Sequence, residues 1–139
     1  MFTELAKAAI AAREMAYAPY SRFWVGAALL EKSGKIYTGC NIESAAFSPT
    51  NCAERTALFK AISEGEKDFV ALAVVGYPEG GEPDYCYPCG VCRQTFCEFV
   101  SDDFQVVVVK TPTDCRLHSF NEILPYSFGS ELRDKITTS

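Results

Sequence analysis

The stretch from Cys52 to Val75 reads CAERTALFKAISEGEKDFVALAVV and predicts a helix followed directly by a buried strand. The helix is expected to run from Cys52 to Glu64, where Gly65 acts as a stop signal. The strand is expected to start at Phe69, because an almost continuous apolar run is typical of a strand near the centre of a sheet. A helix and a strand that alternate in this way indicate an α/β fold.

Similar patterns precede this stretch. Thr3 is expected to cap a first helix that stops by Pro19. Its apolar stripe comprises Leu5, Ala8, Ala9, Ala12, Met15 and Ala16. The pair Ser33-Gly34 then lies between two strand-like segments, Phe23 to Glu31 and Lys35 to Cys40, and predicts a hairpin.

The chain after Val75 predicts one further helix, two strands and a short last helix. These are Cys89 to Val100, Phe104 to Lys110, Cys115 to His118, and a helix opened by a capping box of Ser119 and Glu122. The order α-β-β-α-β-α-β-β-α predicts a three-layer α/β/α sandwich around a single mixed sheet of about five strands. No linker or low-complexity segment divides the sequence, so we expect one domain over residues 1–139.

The composition argues against several classes of function. The 139 residues are 48% hydrophobic and carry 13 Lys and Arg against 18 Asp and Glu, a net charge of −5. A domain this acidic lacks the basic face with which proteins bind a nucleic acid polymer. The N-terminal residues do not form a signal peptide, and no apolar run approaches the ~20 residues that span a bilayer. We therefore expect a soluble, cytoplasmic protein with no membrane partner.

The cysteines indicate a metal site. Seven cysteines cannot all pair, and in a reducing compartment clustered cysteines more often bind a metal or carry redox chemistry. Cys52 lies at the start of one predicted helix, and Cys89 and Cys92 lie at the start of another. Helix N-termini favour thiolate over thiol, so two such termini facing each other would surround a soft cation such as zinc. Three protein ligands leave a fourth position open, as in catalytic zinc sites.

The two residues after Ala53 add chemistry to such a site. Glu54 is close enough to Cys52 to lie beside the metal without binding it, where a carboxylate can take a proton from an activated water. Zinc with three thiolates carries one net negative charge, which weakens the acidification of that water. We expect Arg55 to balance this charge.

The spacing of these motifs matches the zinc nucleobase deaminases, and the chain from roughly Leu5 to Leu132 resembles the small, homotetrameric class of cytidine deaminases. The segments that carry the resemblance are AYAPYSRFWVGAALL at Ala16 to Leu30, GCNIE at Gly39 to Glu43, CAERTALFKAISEG at Cys52 to Gly65, PCGVCRQ at Pro88 to Gln94, and LPYSFG at Leu124 to Gly129. The resemblance implies zinc-dependent hydrolytic deamination of cytidine and 2′-deoxycytidine to uridine and 2′-deoxyuridine, with release of ammonia, in pyrimidine salvage. It also implies that Cys52, Cys89 and Cys92 hold Zn²⁺ and that Glu54 shuttles protons.

The resemblance further implies a binding site for a free nucleoside. Phe23 would pack on the pyrimidine ring, and the backbone of Ala53 would contact the base. Asn41 and Glu43 would hydrogen-bond the ribose hydroxyls, which need both a donor and acceptors. Phe128 would reach the active site of a neighbouring subunit in a homotetramer.

Three residues depart from the family's usual pattern and bear on substrate breadth. Tyr87 stands before Pro88 where a small residue is usual, Phe47 stands where Tyr is common, and Ser44 where Asn is common. Residues near Phe47, like Phe128, would reach a neighbouring active site.

Other interpretations remain open on the sequence. Cys86 is evenly spaced with the other two cysteines of its segment, but Pro88 forces extended geometry between them, so we do not expect it to be a ligand. With Cys86 as a fourth ligand the chain would be a binding module with structural zinc. A thioredoxin-like redox motif at Cys89 to Cys92 leaves the segment around Glu54 unexplained. A deaminase of another aminopyrimidine nucleoside such as blasticidin S is the alternative within the enzymes.

The remaining candidates for chemistry are expected to be structural. His118, the single histidine, lies on a short late strand and is predicted to be a structural or surface residue far from both cysteine motifs. Cys40, Cys97 and Cys115 are predicted to be small hydrophobic residues of the interior.

Overall fold

A single mixed sheet organises the residues that the computed structural model describes, which are 2–129 and 131. Its strands are β1 (Phe23–Glu31), β2 (Ile36–Cys40), β3 (Phe69–Pro78), β4 (Gln105–Thr111) and β5 (Asp114–Ser119). They lie in the order β2-β1-β3-β4-β5, with β3 and β4 parallel and the other neighbours antiparallel. The predicted mixed sheet is confirmed, and β3 lies at its centre.

Helices cover both faces of this sheet. They are α1 (Thr3–Arg13), α2 (Ala53–Ser63), α3 (Gly90–Cys97) and α4 (Phe120–Ile123). Ala71, Ala73 and Val75 of β3 point to the side of α1, whereas Leu72 and Val74 point to the side of α2 and α3. Because successive residues of a strand alternate between the faces, a strand covered on both sides is apolar throughout. The three-layer sandwich is thereby confirmed.

Two glycines set how closely the helices approach the sheet. A Cβ on Gly26 of β1 would lie 2.1 Å from the carbonyl oxygen of Ala9 in α1. A Cβ on Gly39 of β2 would lie 2.5 Å from the carbonyl oxygen of Ala53, the first residue of α2. Both distances are too short for any side chain, so Gly39 allows the first turn of α2 to rest on the hairpin.

The first helix differs from its prediction. Thr3 is the first helical residue and makes no side-chain cap. Met15 lies beyond the helix and is 76% exposed, whereas Arg13 is only 4% exposed. The guanidinium of Arg13 donates to the carbonyl oxygens of Tyr77 (2.8 Å) and Pro78 (3.1 Å) at the end of β3. Strand-end carbonyls thus satisfy a buried charge, which apolar periodicity does not reveal.

The other ends of the helices lie close to their predicted positions. Helix α2 begins one residue after Cys52, and α3 ends at Cys97, before the predicted Val100. The capping box of α4 is present, since the carboxylate of Glu122 accepts a hydrogen bond from the backbone N–H of Ser119 at 3.1 Å. Within residues 2–129 and 131, no helix has the length and apolarity needed to cross a membrane.

Candidate active site

The topology brings the two cysteine motifs together. Helix α2 leads into β3 and α3 follows it, so the N-terminus of each helix lies near the end of β3. Cys52 is the N-cap of α2, and Cys89 is the N-cap of α3. The thiol of Cys89 also accepts a hydrogen bond from the backbone N–H of Cys92 at 3.4 Å.

The three thiols of Cys52, Cys89 and Cys92 form one cluster. Their sulfur atoms all lie within 4.8 Å of one another, and those of Cys52 and Cys89 are 3.6 Å apart. A tetrahedral zinc ion with Zn–S bonds of about 2.3 Å needs sulfur separations of about 3.8 Å. Cys86 does not belong to this cluster. The donor set therefore fits a zinc ion with three protein ligands and one open position.

The thiols of Cys52 and Cys92 and the guanidinium of Arg55 shift one another's pKa values. A hydrogen bond from Cys92 lowers the pKa of Cys52 against the opposing effect of burial, and Arg55 lowers it further. Nη2 of Arg55 lies 3.3 Å from Sγ of Cys52. The hydrogen bond between Cys92 and Cys52, together with burial, raises the pKa of Cys92. The cluster thus holds a proton that a metal ion would displace.

Glu54 lies beside this cluster in the first turn of α2. Only 3% of the residue is exposed. Burial raises the pKa of its carboxyl to about 7, and the negative charge of Cys52 acts in the same direction. A carboxyl whose pKa is close to 7 can both accept and return a proton at neutral pH, as a general acid–base group must.

A cavity of about 300 Å³ extends from Glu54 towards the start of β1. This volume is at the lower end of the range of small-molecule sites. The cavity brings seven of the ten site residues that the sequence singled out to one surface: Phe23, Asn41, Glu43, Cys52, Ala53, Glu54 and Cys89. Cys52, Glu54 and Cys89 form one end, which we call the metal end. Glu43 and Asn41 form the other, which we call the sugar end.

At the sugar end Glu43 is held rigidly by the segment before β1. Its Oε1 accepts hydrogen bonds from the backbone N–H groups of Tyr20 (3.0 Å) and Ser21 (3.1 Å), and its Oε2 accepts one from the hydroxyl of Ser21 (2.5 Å). Although burial opposes it, these donors lower the pKa of Glu43. Glu43 is therefore an ionised acceptor, and Oε2 keeps a lone pair for a ligand.

Ser21 is a further functional residue that no sequence pattern singles out. A lone serine near Pro19 is typical of a turn, and no spacing connects it with Glu43. The hydroxyl of Ser21 also accepts a hydrogen bond from the backbone N–H of Phe23 at 3.1 Å. The same side chain thus fixes both the carboxylate of the sugar end and the start of β1.

Asn41 contributes to the position of Phe23. Its Nδ2 donates to the carbonyl oxygen of Phe23 (2.8 Å), and its Oδ1 accepts from the backbone N–H of Val25 (2.9 Å). An amide has two donors and two acceptor sites, so one of each remains for a ligand. Phe23 is 36% exposed and lines the cavity wall.

Ala53 completes the cavity near the metal end. It is fully buried and is the first residue of α2. The N–H groups of a first helical turn have no partner within the helix, so the backbone at this position is available for a ligand.

The other three site residues lie away from the cavity surface of this chain. Cys92 is buried beneath it, and Arg55 lies behind Cys52. Phe128 is 81% exposed, although its carbonyl oxygen accepts a hydrogen bond from Gln94 of α3 at 2.7 Å. Phe47, which the family resemblance also places near a neighbouring active site, is 78% exposed and has a positive φ of 62°. The two aromatic rings thus project from fixed backbone positions and do not complete their own chain's cavity.

One expectation about the neighbouring residues agrees with the structure, and one needs correction. Cys86 is not a member of the thiol cluster, but it does line the cavity, and burial raises its pKa to about 11. His118 is not far from both motifs, because its Nε2 lies 3.2 Å from the hydroxyl of Tyr87, two residues before Cys89. The edge strand β5 brings it there, a pairing that the sequence pattern does not show. Of the cysteines predicted to be interior, Cys97 is buried, whereas Cys40 and Cys115 are half-buried.

The family model described as "Cytidine and deoxycytidylate deaminase zinc-binding region" matches residues 3–109. This match covers more than half of the chain, including all three clustered cysteines and Glu54. The chain belongs to this deaminase family. The zinc binding in the family's description agrees with the geometry of the thiol cluster.

Individual family members are similar over most of their length. A cytidine deaminase from Halalkalibacterium halodurans is 50% identical over 127 residues, which cover 91% of this chain and 93% of the relative. A cytidine deaminase from Sporosarcina psychrophila is 50% identical over 120 residues, covering 86% and 85%. The crystal structure of cytidine deaminase from Burkholderia pseudomallei matches with a TM-score of 0.82 at 45% identity, covering 92% of this chain and 99% of that one.

The family also contains a relative that bears on the alternative substrate. A blasticidin-S deaminase from Bacillus cereus is 36% identical over 87 residues, which cover 60% of this chain and 62% of the relative. The similarity is lower and shorter than that to the cytidine deaminases, so it does not favour the alternative.

Proposed function

We propose that this protein is a zinc-dependent enzyme that hydrolyses cytidine and 2′-deoxycytidine to uridine and 2′-deoxyuridine with release of ammonia. The observation that carries the proposal is the position of Glu54. A buried carboxyl whose pKa is about 7 lies beside three clustered thiols and lines a cavity of about 300 Å³. Relatives that are 50% identical over most of their length are named cytidine deaminases, which supports the same activity.

Cys52, Cys89 and Cys92 would hold the zinc ion. When bound, zinc supplies a Lewis acid that acidifies the attacking water. Arg55 would offset the excess negative charge of three thiolates, because its Nη2 lies 3.3 Å from Sγ of Cys52. Cys52, Glu54 and Cys89 all line the cavity, so a substrate carbon that enters it would approach Glu54 and the thiol cluster together.

Glu54 would move each proton of the reaction. It first takes a proton from the attacking water and delivers it to N3 of the cytosine ring while the water oxygen attacks C4. It then takes the second proton from the new hydroxyl and passes it to the amine, which leaves as ammonia. Water and cytidine thus give uridine and ammonia, and Glu54 returns to its starting state. A carboxyl whose pKa is near neutrality suits both directions of transfer.

The sugar end would select a nucleoside. Glu43 and Asn41 each keep a free acceptor site, and Asn41 keeps a free donor, which together fit a ribose diol. Phe23 and the backbone of Ala53 would hold the base between the two ends. The ionised carboxylate of Glu43 lies at the same end and would repel a 5′-phosphate, so we propose a free nucleoside as substrate.

The complete site would need more than one copy of the chain. The exposed rings of Phe128 and Phe47 project from fixed backbone positions, which supports a homotetramer in which each ring completes a neighbour's cavity. A single domain over residues 1–139 would form each subunit. The proposed reaction converts one pyrimidine nucleoside into another, which fits a role in pyrimidine salvage, and a cluster of thiols suited to a metal fits a reducing cytoplasm.

The test is a direct assay of the purified, metal-analysed protein. Cytidine, 2′-deoxycytidine, their monophosphates and blasticidin S are incubated separately with it, and the ultraviolet change and ammonia are followed. We expect both nucleosides to yield equal amounts of ammonia and uracil nucleoside, with far slower turnover of the monophosphates. Ammonia from blasticidin S alone would favour the alternative deaminase, and ammonia from none of them would overturn the proposal.

A further inference from the structure

The wall of the cavity next to Cys89 is tied to the edge strand β5 by a chain of hydrogen bonds. The hydroxyl of Tyr87 lies 3.2 Å from Nε2 of His118, and Nδ1 of His118 lies 3.3 Å from Oε2 of Glu122. The rings of Tyr87 and His118 are 5.4 Å apart and tilted by 57°. The chain of contacts therefore runs from the cavity wall to the start of α4.

The chemistry of the partners fixes the direction of these hydrogen bonds. An ionised carboxylate can only accept, so Nδ1 of His118 carries the proton and donates to Glu122. Contact with the backbone N–H of Ser119 and with His118 lowers the pKa of Glu122, which keeps it ionised. In the neutral ring Nε2 is then bare and accepts from the hydroxyl of Tyr87. His118 is thus a matched link between a donor and an acceptor.

The same short segment is also held from the side of α3. Nε of Arg93 donates to the carbonyl oxygen of Pro88 (2.8 Å), and its Nη1 donates to the carbonyl oxygen of Ile123 (2.7 Å). Pro88 and its two neighbours are therefore fixed twice, through Arg93 and through His118. Of these, Tyr87 lines the cavity and Cys89 belongs to the thiol cluster.

We propose that His118 is a positioning residue for the active site, which acts through Tyr87 to hold the cavity wall and Cys89 in place. The inference rests on the proposed function, because it assigns His118 to that site. Tyr87 carries its hydroxyl at the end of a long, rigid side chain, which is what lets this wall residue reach β5. It predicts that loss of the link weakens both substrate binding and the retention of zinc.

The test uses two variants that break the link, Tyr87→Phe and His118→Ala, in the zinc-loaded protein. His118→Ala should raise KM for cytidine roughly three- to tenfold, as expected for the loss of one neutral hydrogen bond, with kcat changed less than about twofold. Tyr87→Phe, which also removes the contact of the Tyr87 hydroxyl with Arg116, should raise KM at least as much. The rate at which excess chelator removes zinc should rise by a similar factor. His118→Gln, whose carbonyl oxygen can stand near the position of Nε2, should restore both values in large part.

Tyr85→Phe is the matched control. Tyr85 lies in the same loop and its hydroxyl donates to Asp114 of β5 at 2.5 Å, but it does not line the cavity. The control should leave KM and zinc release unchanged. The inference is overturned if Tyr87→Phe behaves like the unaltered protein, or if Tyr85→Phe has the same effects. Because zinc release is measured without substrate, it tests the role of His118 even if the protein proves inactive towards cytidine.

Discussion

Glu54 and Glu43 stand at opposite ends of one cavity and are held in opposite ways. Burial raises the pKa of Glu54 to about 7, in a position where 3% of the residue is exposed. Glu43 instead accepts three hydrogen bonds from Tyr20 and Ser21, which lower its pKa. The metal end therefore keeps a carboxyl ready to change its protonation, whereas the sugar end keeps one permanently ionised. Burial of Glu54 lowers the stability of the fold at the metal end, whereas the hydrogen bonds to Glu43 make the sugar end rigid.

The largest expected effect is the loss of turnover when the carboxyl of Glu54 is replaced. Glu54→Gln should lower kcat by about 10³-fold or more, because the amide cannot carry protons, a role worth up to about 10⁴-fold. The zinc content should stay unchanged, since Glu54 is not a member of the thiol cluster. Steady-state kinetics and metal analysis measure both. The control is Glu64→Gln at the C-terminal end of the same helix, which should be fully active. Near-normal turnover of Glu54→Gln would refute the assignment of Glu54.

The same substitution should stabilise the metal-free protein. The folded pKa of Glu54 is about 7, above the ordinary value of 4.5, so folding favours the protonated form. The contribution of Glu54 to stability is complete below pH 4.5 and is lost as the pH rises through 7. By pH 8 this loss reaches about 3 kcal/mol, at about 1.4 kcal/mol per pKa unit.

The measurement is the difference in unfolding free energy between Glu54→Gln and the unaltered chain as a function of pH. The difference should grow in favour of the variant from pH 4.5 to 8 by denaturant titration with chelator present. For Glu43→Gln the difference should instead stay nearly constant above about pH 5 and move in favour of the variant only as the pH falls below 4.5, because a lowered pKa stabilises the folded state only where the carboxylate is ionised. A constant difference over this pH range for Glu54→Gln would contradict the explanation.

At the sugar end the expected effect is on binding. Glu43→Gln should raise KM for cytidine roughly ten- to a hundredfold while kcat changes little, as expected for hydrogen bonds to a charged acceptor. The exposed Glu79, which pairs with Arg22 at 3.3 Å, offers Glu79→Gln as a control without effect. A fall in kcat with KM unchanged would instead place Glu43 in the chemical step.

The contrast also explains how far the sequence alone could lead. The metal end could be predicted from residue types. Clustered cysteines at two helix starts are typical of a metal site, and the chemistry of such a site explains the acid Glu54 and the base Arg55 that follow Cys52. The almost continuous apolar run from Phe69 to Val75 likewise predicted a central strand. The sugar end uses Asn41 and Glu43, which are common in loops, and only the family resemblance singled them out.

Polar contacts between distant strands and loops could not be predicted from any sequence pattern. Ser21 reaches Glu43, Arg13 reaches the end of β3, and the Tyr87–His118 pair depends on β5 lying at the edge of the sheet. Each of these is a polar contact between segments distant in the chain, and hydrophobic periodicity contains no information about such contacts.

Arg55 gives the smallest effect and the finest test of the metal end. Its guanidinium offsets the negative charge of the thiolates, so Arg55→Gln should make the attacking water harder to ionise and move the acid limb of the pH–rate profile upwards by about one unit. Arg55→Lys keeps the charge and should keep the profile, even if it loses some activity. An unchanged pH–rate profile for Arg55→Gln, at equal zinc content, would mean that the charge of Arg55 does not affect the ionisation of the attacking water. In that case the contact with Cys52 would only support the fold, and charge at the metal end would be balanced by the helix N-termini instead.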